Sequence, residues 1–350
     1  MRIDGNVSDF IAGGFILEHG TFEPCTVICE SGVAKVEHTI PDRCDFKALF
    51  IKDMVNVHTH CGDYGLDVKP GMTLEELVAP PDGLKHRYLA ELTDDGLKDN
   101  ISRFDEASAS YGSASFIDFR EGGVEGCRML RACSKDAVIL GRPVSKEYDP
   151  QEIHDILEVA DGIGLPSISD MPMSYIESVA DDVRRERKIF SIHASERVRE
   201  DIDSILSLDP AFVVHMCEAT DGDLAKCAEA EVPIAVCPTS NGYFGKQSPV
   251  GRMIDNGVDI GLGTDNGMLC EPDLVSEASR LSKILTIQGY DPNEAWKALS
   301  NFGGKLLYRT KQMEEGAQNS YLTVIPSWEN GMSERGPERA FRAITKRGVD

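Results

Sequence analysis

The chain has 350 residues, enough for one large domain or two ordinary ones, and its 41% hydrophobic and 27% charged residues exclude global disorder. Thirty-six basic against 59 acidic side chains leave a formal charge of −23. That balance opposes nucleic acid and anionic membrane surfaces, which attract basic faces, and reads most simply as a solvated acidic exterior.

The opening MRIDGNVSDFIAGGFIL carries Asp4 and Asp9 where an export signal needs basic residues, and no apolar stretch approaches the roughly 20 residues of a membrane span, so a cytoplasmic protein is expected. Within the first 50 residues, TVICE and VAKVEH read as short strands punctuated by glycine. From about residue 50, short apolar runs alternate with helix-like stretches. The runs are 54–58 (MVNVH), 113–119 (SASFIDF), 136–141 (DAVILG), about 160–165, 188–193 (KIFSIH), 211–215 (AFVVH), 232–237 (VPIAVC) and 258–264 (VDIGLGT). Thr73 with Glu76 forms a capping box, and 61–85, with Gly65, Pro70, Gly71, Pro80 and Pro81, reads either as a lid or as a long loop entering a helix. Asp291, Pro292 and Glu294 open another helix, expected to close near Gly303 and Gly304 with Trp296 and Phe302 in its core, and 319–325 (NSYLTVI) reads as one more strand.

Alternation of strands and helices implies crossover connections and a parallel sheet. Eight such units predict a (β/α)8 barrel over 51–317, which takes roughly 250 residues, with an open doubly wound sheet as the alternative. The remainder, 1–50 and 318–350, predicts a small β subdomain built from both termini. The ten cysteines contain no C-x-x-C pair: Cys25 and Cys29 are spaced C-x-x-x-C, and Cys217 and Cys237 lie in or beside apolar runs. Reduced, mostly buried thiols are expected.

Four histidines close predicted strands, at the end of such a barrel that carries the active site. His58 and His60 form H-x-H after the first run, a spacing that puts both imidazoles on one face of a strand. His193 ends the fifth run and His215 the sixth. A single histidine in that position is ordinarily a satisfied structural residue; four in corresponding positions predict a shared site. Asp265, after IGLGT, adds a carboxylate. Glu196 in HASE is either a helix-opening acid or a carboxyl able to carry a proton beside a metal. Asp118, Arg120 and Glu121 follow the second run and Arg142 the third; Arg120, Glu121 and Arg142 are candidates to read the polar edge of a substrate, with surface salt bridging the alternative. His19, His38, His86 and His154 lack a strand-end setting and are expected to be structural.

The ordered set N-V-H-T-H, S-I-H-A-S-E, V-V-H, C-P-T-S-N and G-L-G-T-D-N, spanning 54–267, resembles the amidohydrolase superfamily, and within it the branch of adenosine, guanine and cytosine deaminases and triazine hydrolases. EAWKALSNFGGKLL resembles the helix after the family's barrel, and GAQNSYLTVI its returning β segment. The resemblance implies that His58, His60, His193 and Asp265 hold one divalent ion, zinc or alternatively iron. It further implies that Glu196 shuttles protons and that His215 orients the attacking water or the developing oxyanion. Two-metal relatives use a carboxylated lysine on the fourth strand; 155–175 contain no lysine, and Lys146 could serve only if the strand count were off by one. The chain departs from the pattern in lacking a Pro-Gly turn before H-x-H, where IKDM stands, and in following Asp265 with Asn266 rather than a second aspartate. The resemblance therefore implies a hydrolase of non-peptide C–N bonds, expected to deaminate a purine, pterin, pyrimidine or related amino-heterocycle. A cyclic-amide hydrolase on the same barrel and a non-catalytic metal-binding protein are the alternatives, and a homo-oligomer is expected.

Overall fold

The eight apolar runs become the strands of one curled sheet, and each observed strand lies within two or three residues of its run. In the computed structural model, which describes residues 9–18, 20–78, 83–300, 302–312, 319–326 and 340–346, fifteen strands succeed one another along the chain. They are β1 Phe10–Glu18, β2 Thr21–Glu30, β3 Val33–Glu37, β4 Phe46–Lys52, β5 Val55–His60, β6 Ser115–Arg120, β7 Ala137–Gly141 and β8 Gly162–Leu165. Then come β9 Ile189–Ala194, β10 Phe212–His215, β11 Ile234–Val236, β12 Ile260–Leu262, β13 Asp265–Asn266, β14 Asn319–Pro326 and β15 Phe341–Lys346.

The larger sheet has the order β12-β11-β10-β9-β8-β7-β6-β5-β13. Its registers are parallel, with Phe212 opposite Ser191 and Ile234 opposite Ile260. Strands β5 to β8 and β10 to β11 are buried along their whole length, as continuous apolar runs covered on both faces must be. Both ends of the order belong to one segment: β12 pairs with β11, and β13, just beyond it in sequence, pairs with β5. This closes the sheet into a TIM-like barrel and rules out the open doubly wound alternative. Gly263 makes the closure possible. A Cβ there would stand 2.8 Å from His58 Cβ and 2.9 Å from the His58 carbonyl oxygen, so no other residue lets the last strand cross against the first.

The second sheet is a closed six-stranded barrel in the order β1-β2-β3-β15-β14-β4, drawn from both termini as expected. Phe10, Ile16, Val27, Phe50 and Val324 are among its core. Three of its strands, β1, β4 and β15, carry no signal that the sequence pattern picks out.

By contacts the chain divides into two compact units, residues 1–56 with 106–116 and 273–350, and residues 57–105 with 117–272. The first is therefore larger than the terminal segments alone. Helix starts coincide with the side chains that cap them. Thr73 and Glu76 exchange the two hydrogen bonds of the expected capping box, and Asp149 and Thr220 cap Pro150–Val159 and Asp221–Glu229. Asp291 likewise accepts from the Asn293 amide, but that helix is short, Asn293–Lys297. Gly303 and Gly304 do not close it; they lie in the first turn of the next helix, Phe302–Gln312. Trp296 and Phe302 are buried as expected. His19, Pro80 and Pro81 lie outside the described residues. Six of the ten cysteines are buried, all ten are free, and no described helix is long and apolar enough to cross a membrane.

Candidate metal centre

His58 and His60 sit two apart on β5, His193 near the end of β9, His215 at the end of β10, and Asp265 opens β13. Their strands all end at one mouth of the large barrel, and their side chains converge there. Ligand atoms of His58, His60 and His193 lie within 4.8 Å of one another, as do those of His58, His215 and Asp265. Asp265 Oδ1 stands 3.3 Å from His58 Nε2 and 3.5 Å from His60 Nε2. Aiming the last residues of the strands inward bends the backbone: His215, Ser195 and Asp265 have φ of 75°, 46° and 60°, the left-handed region that non-glycine residues occupy at a cost of about 1–3 kcal/mol.

The surrounding contacts decide which nitrogen of each ring is available. His193 Nδ1 lies 2.8 Å from the Leu165 carbonyl, to which it donates, leaving the Nε2 lone pair free. His60 Nδ1 faces Glu121 Oε1 at 3.1 Å, which likewise directs Nε2 toward the cluster. Neither nitrogen of fully buried His58 has a hydrogen-bond partner. A buried imidazole with two orphaned nitrogens beside a carboxylate oxygen is the setting that a cation completes, so these donors fit a metal ion. His215 differs. With the Asn241 NH2 donating to His215 Nδ1 at 3.1 Å, the ring proton sits on Nε2, while Ser248 gives its one proton to the His215 carbonyl at 2.7 Å. That nitrogen faces Glu196 Oε1 across 3.7 Å, beyond hydrogen-bond distance.

Electrostatics favour the same assignment. Burial pushes His58 down to about 4, and burial together with three neighbouring imidazoles holds His193 well below its ordinary value. Burial and His60 also lower His215. Neutral rings, the form that ligates, result. Burial alone would raise Asp265, but His58, His215 and His60 outweigh it and keep the carboxylate ionised, with Ser240 donating to Oδ2 at 2.5 Å. Glu196 behaves oppositely: burial and the Asp265 charge push it up to about 8, so it carries a proton at neutral pH.

An open cleft of about 900 Å³ reaches this cluster and is lined by His60, His193, Glu196, His215 and Asp265, together with Arg142. Of the three residues expected to read substrate, only Arg142 lines it. Arg120 is instead buried beneath, with its NH2 2.7 Å from Glu121 Oε2 and its NH1 3.7 Å from Asp118 Oδ1, while Asp118 Oδ2 accepts from the Cys61 amide and the Thr59 hydroxyl. Glu121 is held among His60, Arg120 and Lys85, whose Nζ is 2.8 Å away. These two residues build the support of His60 in place of the substrate contact expected. Lys146 is exposed and precedes the helix Pro150–Val159, and the fourth barrel strand is β8, so the lysine-free fourth strand stands.

Several residues of the site carry no mark in the sequence. Lys85, on the helix Leu84–Glu91, is buried, 3.4 Å from Asp63 Oδ2 and 3.1 Å from Asn266 Oδ1. His86 lines the cleft, with Nε2 3.0 Å from the Val78 carbonyl, instead of standing apart from the site. Glu200 accepts from the amides of Ser169 and Ser195 and so pins the loop that carries Glu196. Only Ser240 and Asn241, inside C-P-T-S-N, had a motif to mark them.

No family model matches the chain. A protein of Methanothermobacter thermautotrophicus named "Putative aminohydrolase" is 31% identical over 287 residues, 74% of this chain and 75% of that protein. Among solved structures, a guanine deaminase from C. acetobutylicum with bound guanine superposes with a TM-score of 0.69 at 14% identity, covering 97% of this chain and 100% of that one. A Xanthomonas campestris adenosine deaminase with bound zinc gives a TM-score of 0.65 at 15% identity, covering 91% and 84%. The fold and the site define a metal-dependent hydrolase of the TIM-barrel class. The chain belongs to the amidohydrolase superfamily, in its deaminase-like branch.

Proposed function

We propose that this protein is an aminohydrolase that releases ammonia from a purine, pterin, pyrimidine or related amino-heterocycle, with one divalent ion held by His58, His60, His193 and Asp265. The observation that carries the reading is the pairing of a ligand set with two proton-handling groups on its cleft side, Glu196 and His215. Three imidazole nitrogens and one carboxylate oxygen suit zinc, with iron the alternative. When bound, such an ion supplies a water acidified toward neutral pH and a positive charge beside the reacting carbon.

The chain's own groups do the rest. Asp265 accepts one proton of the attacking water and delivers it to the departing amine. Protonated Glu196 donates to the ring nitrogen beside the attacked carbon and regains a proton from that water's hydroxyl as the carbonyl forms. His215 donates from Nε2 to the developing oxyanion, with Asn241 holding its tautomer.

The test is metal analysis of native protein and then an ammonia-coupled screen of amino-heterocycles. About one zinc or iron per chain with ammonia released from a member of the panel supports the reading. Ring opening without ammonia would transfer the chain to the cyclic-amide hydrolases, and a metal-free, inactive protein would end it.

A further inference from the structure

Three cationic side chains line the cleft, and two of them already have anionic partners. Lys85 is engaged by Glu121 and Asp63, and Arg197 lies 3.2 Å from Asp170. Arg142 differs. It is half-buried, comes directly after β7, and makes no side-chain hydrogen bond or ion pair among the described residues. Its backbone is nonetheless fixed, since its amide donates to the Arg120 carbonyl at 2.8 Å and its carbonyl accepts from Gly123 at 3.2 Å. Of the three cations that line the cleft, Arg142 alone has no carboxylate partner among the described residues, in a chain with 59 acidic side chains and a formal charge of −23.

A second donor stands in the same cleft. The Lys85 ammonium can only donate, so the Asn266 atom 3.1 Å from it is Oδ1, and the amide's NH2 is left over. No described group accepts from that NH2, and it is not among the enclosed orphan atoms, so it is open to the cleft that Asn266 lines. Burial, then Lys85 and more weakly Arg142, hold His86, on the same cleft wall, below its ordinary value.

We infer that the substrate carries an anionic group, a carboxylate or a phosphate, which Arg142 binds while the Asn266 amide donates to a further acceptor on the same molecule. This deepens the aminohydrolase reading and rests on it for the chemistry, although not for the binding. A guanidinium offers two parallel N–H donors to either anion, a geometry that lysine does not reproduce. An acidic protein must in addition hold a local cation to admit an anionic substrate.

The experiment compares amino-heterocycles as neutral compounds, as carboxylates and as monophosphates, with metal-loaded wild type, Arg142→Met and Arg142→Lys. Turnover is measured by ammonia release and binding by calorimetry, and melting curves check that each variant is folded. The inference expects one anionic class to exceed its neutral counterpart, and to lose about 10–100-fold in kcat/KM in Arg142→Met. The neutral counterpart should change little, and Arg142→Lys should fall between. Which class is preferred separates phosphate from carboxylate. Equal use of neutral and anionic compounds, or equal losses on both in a folded variant, overturns the inference and leaves the aminohydrolase reading standing. Arg142-dependent binding of an anionic heterocycle without ammonia from any compound would overturn the aminohydrolase reading and keep this one.

Discussion

The floor of the site and the wall beside it are both buried and both polar, yet they are satisfied in opposite ways. On the floor, His58 has no hydrogen-bond partner at either nitrogen, and Asp265 Oδ1 faces two imidazoles at 3.3 and 3.5 Å. In the wall, Lys85, Glu121, Arg120 and Asp118 neutralise one another at 2.7–3.7 Å. Burial opposes the charges of Glu121 and Lys85, and the neighbours overcome it: Lys85 and Arg120 hold Glu121 well below the ordinary range, and Glu121 with Asp63 raises Lys85. A buried polar group left incomplete signals a ligand; one completed internally signals support. The floor's donors fit a metal ion, and the wall packs its charges behind His60.

Substitutions should separate the two regions. The largest effect is expected at the floor: His58→Ala or Asp265→Ala loses most of its metal and all activity above background, measured by elemental analysis and ammonia release. Next, Glu196→Gln should retain its metal while kcat falls about 10²–10⁴-fold, the range for a lost proton carrier. In the wall the order of losses reverses. Glu121→Gln takes the nearest carboxylate from two buried cations, leaving Lys85 to Asp63 and Arg120 to Asp118, and should cost about 3–5 kcal/mol in denaturant unfolding. Its effect on metal affinity, through His60, should be about 10–100-fold. Smallest of all, Ser240→Ala removes one donor to Asp265 and should cost about 1–3 kcal/mol with the metal retained. If Glu121→Gln proved as stable as wild type with its metal affinity unchanged, the contrast between floor and wall would be wrong.

The floor was legible in the sequence because strand ends are. An apolar run closing on histidine or aspartate recurs four times among 54–60, 188–193, 211–215 and 258–265, and strand periodicity puts each terminal side chain at the same mouth. The wall was not legible. Lys85 and Glu121 are far apart in sequence, one on a helix and the other just past a strand, and neither belongs to a periodic pattern. Their pairing is purely tertiary. Arg120 and Glu121 were recognisable as belonging to the site, yet their direction could not be read, because buried network and substrate contact have the same residue types.

The small barrel shows a different loss. FIAGGFILE, the sequence of β1, has two glycines at its centre, which weakens a strand signal. A Cβ on Gly14 would fall 1.9 Å from the Ala48 carbonyl oxygen, so the glycine that obscures the strand is what lets β1 lie against β4. Gly303 and Gly304 misled in the other direction. They read as a helix stop, while the structure continues helical from Phe302 to Gln312.

X-ray absorption spectroscopy of the metal-loaded protein tests the central claim most directly. The account predicts one divalent ion per chain with three imidazole nitrogens at about 2.0–2.1 Å, and oxygen from Asp265 and from water. A coordination sphere containing sulfur, or four protein ligands with no water, would contradict it.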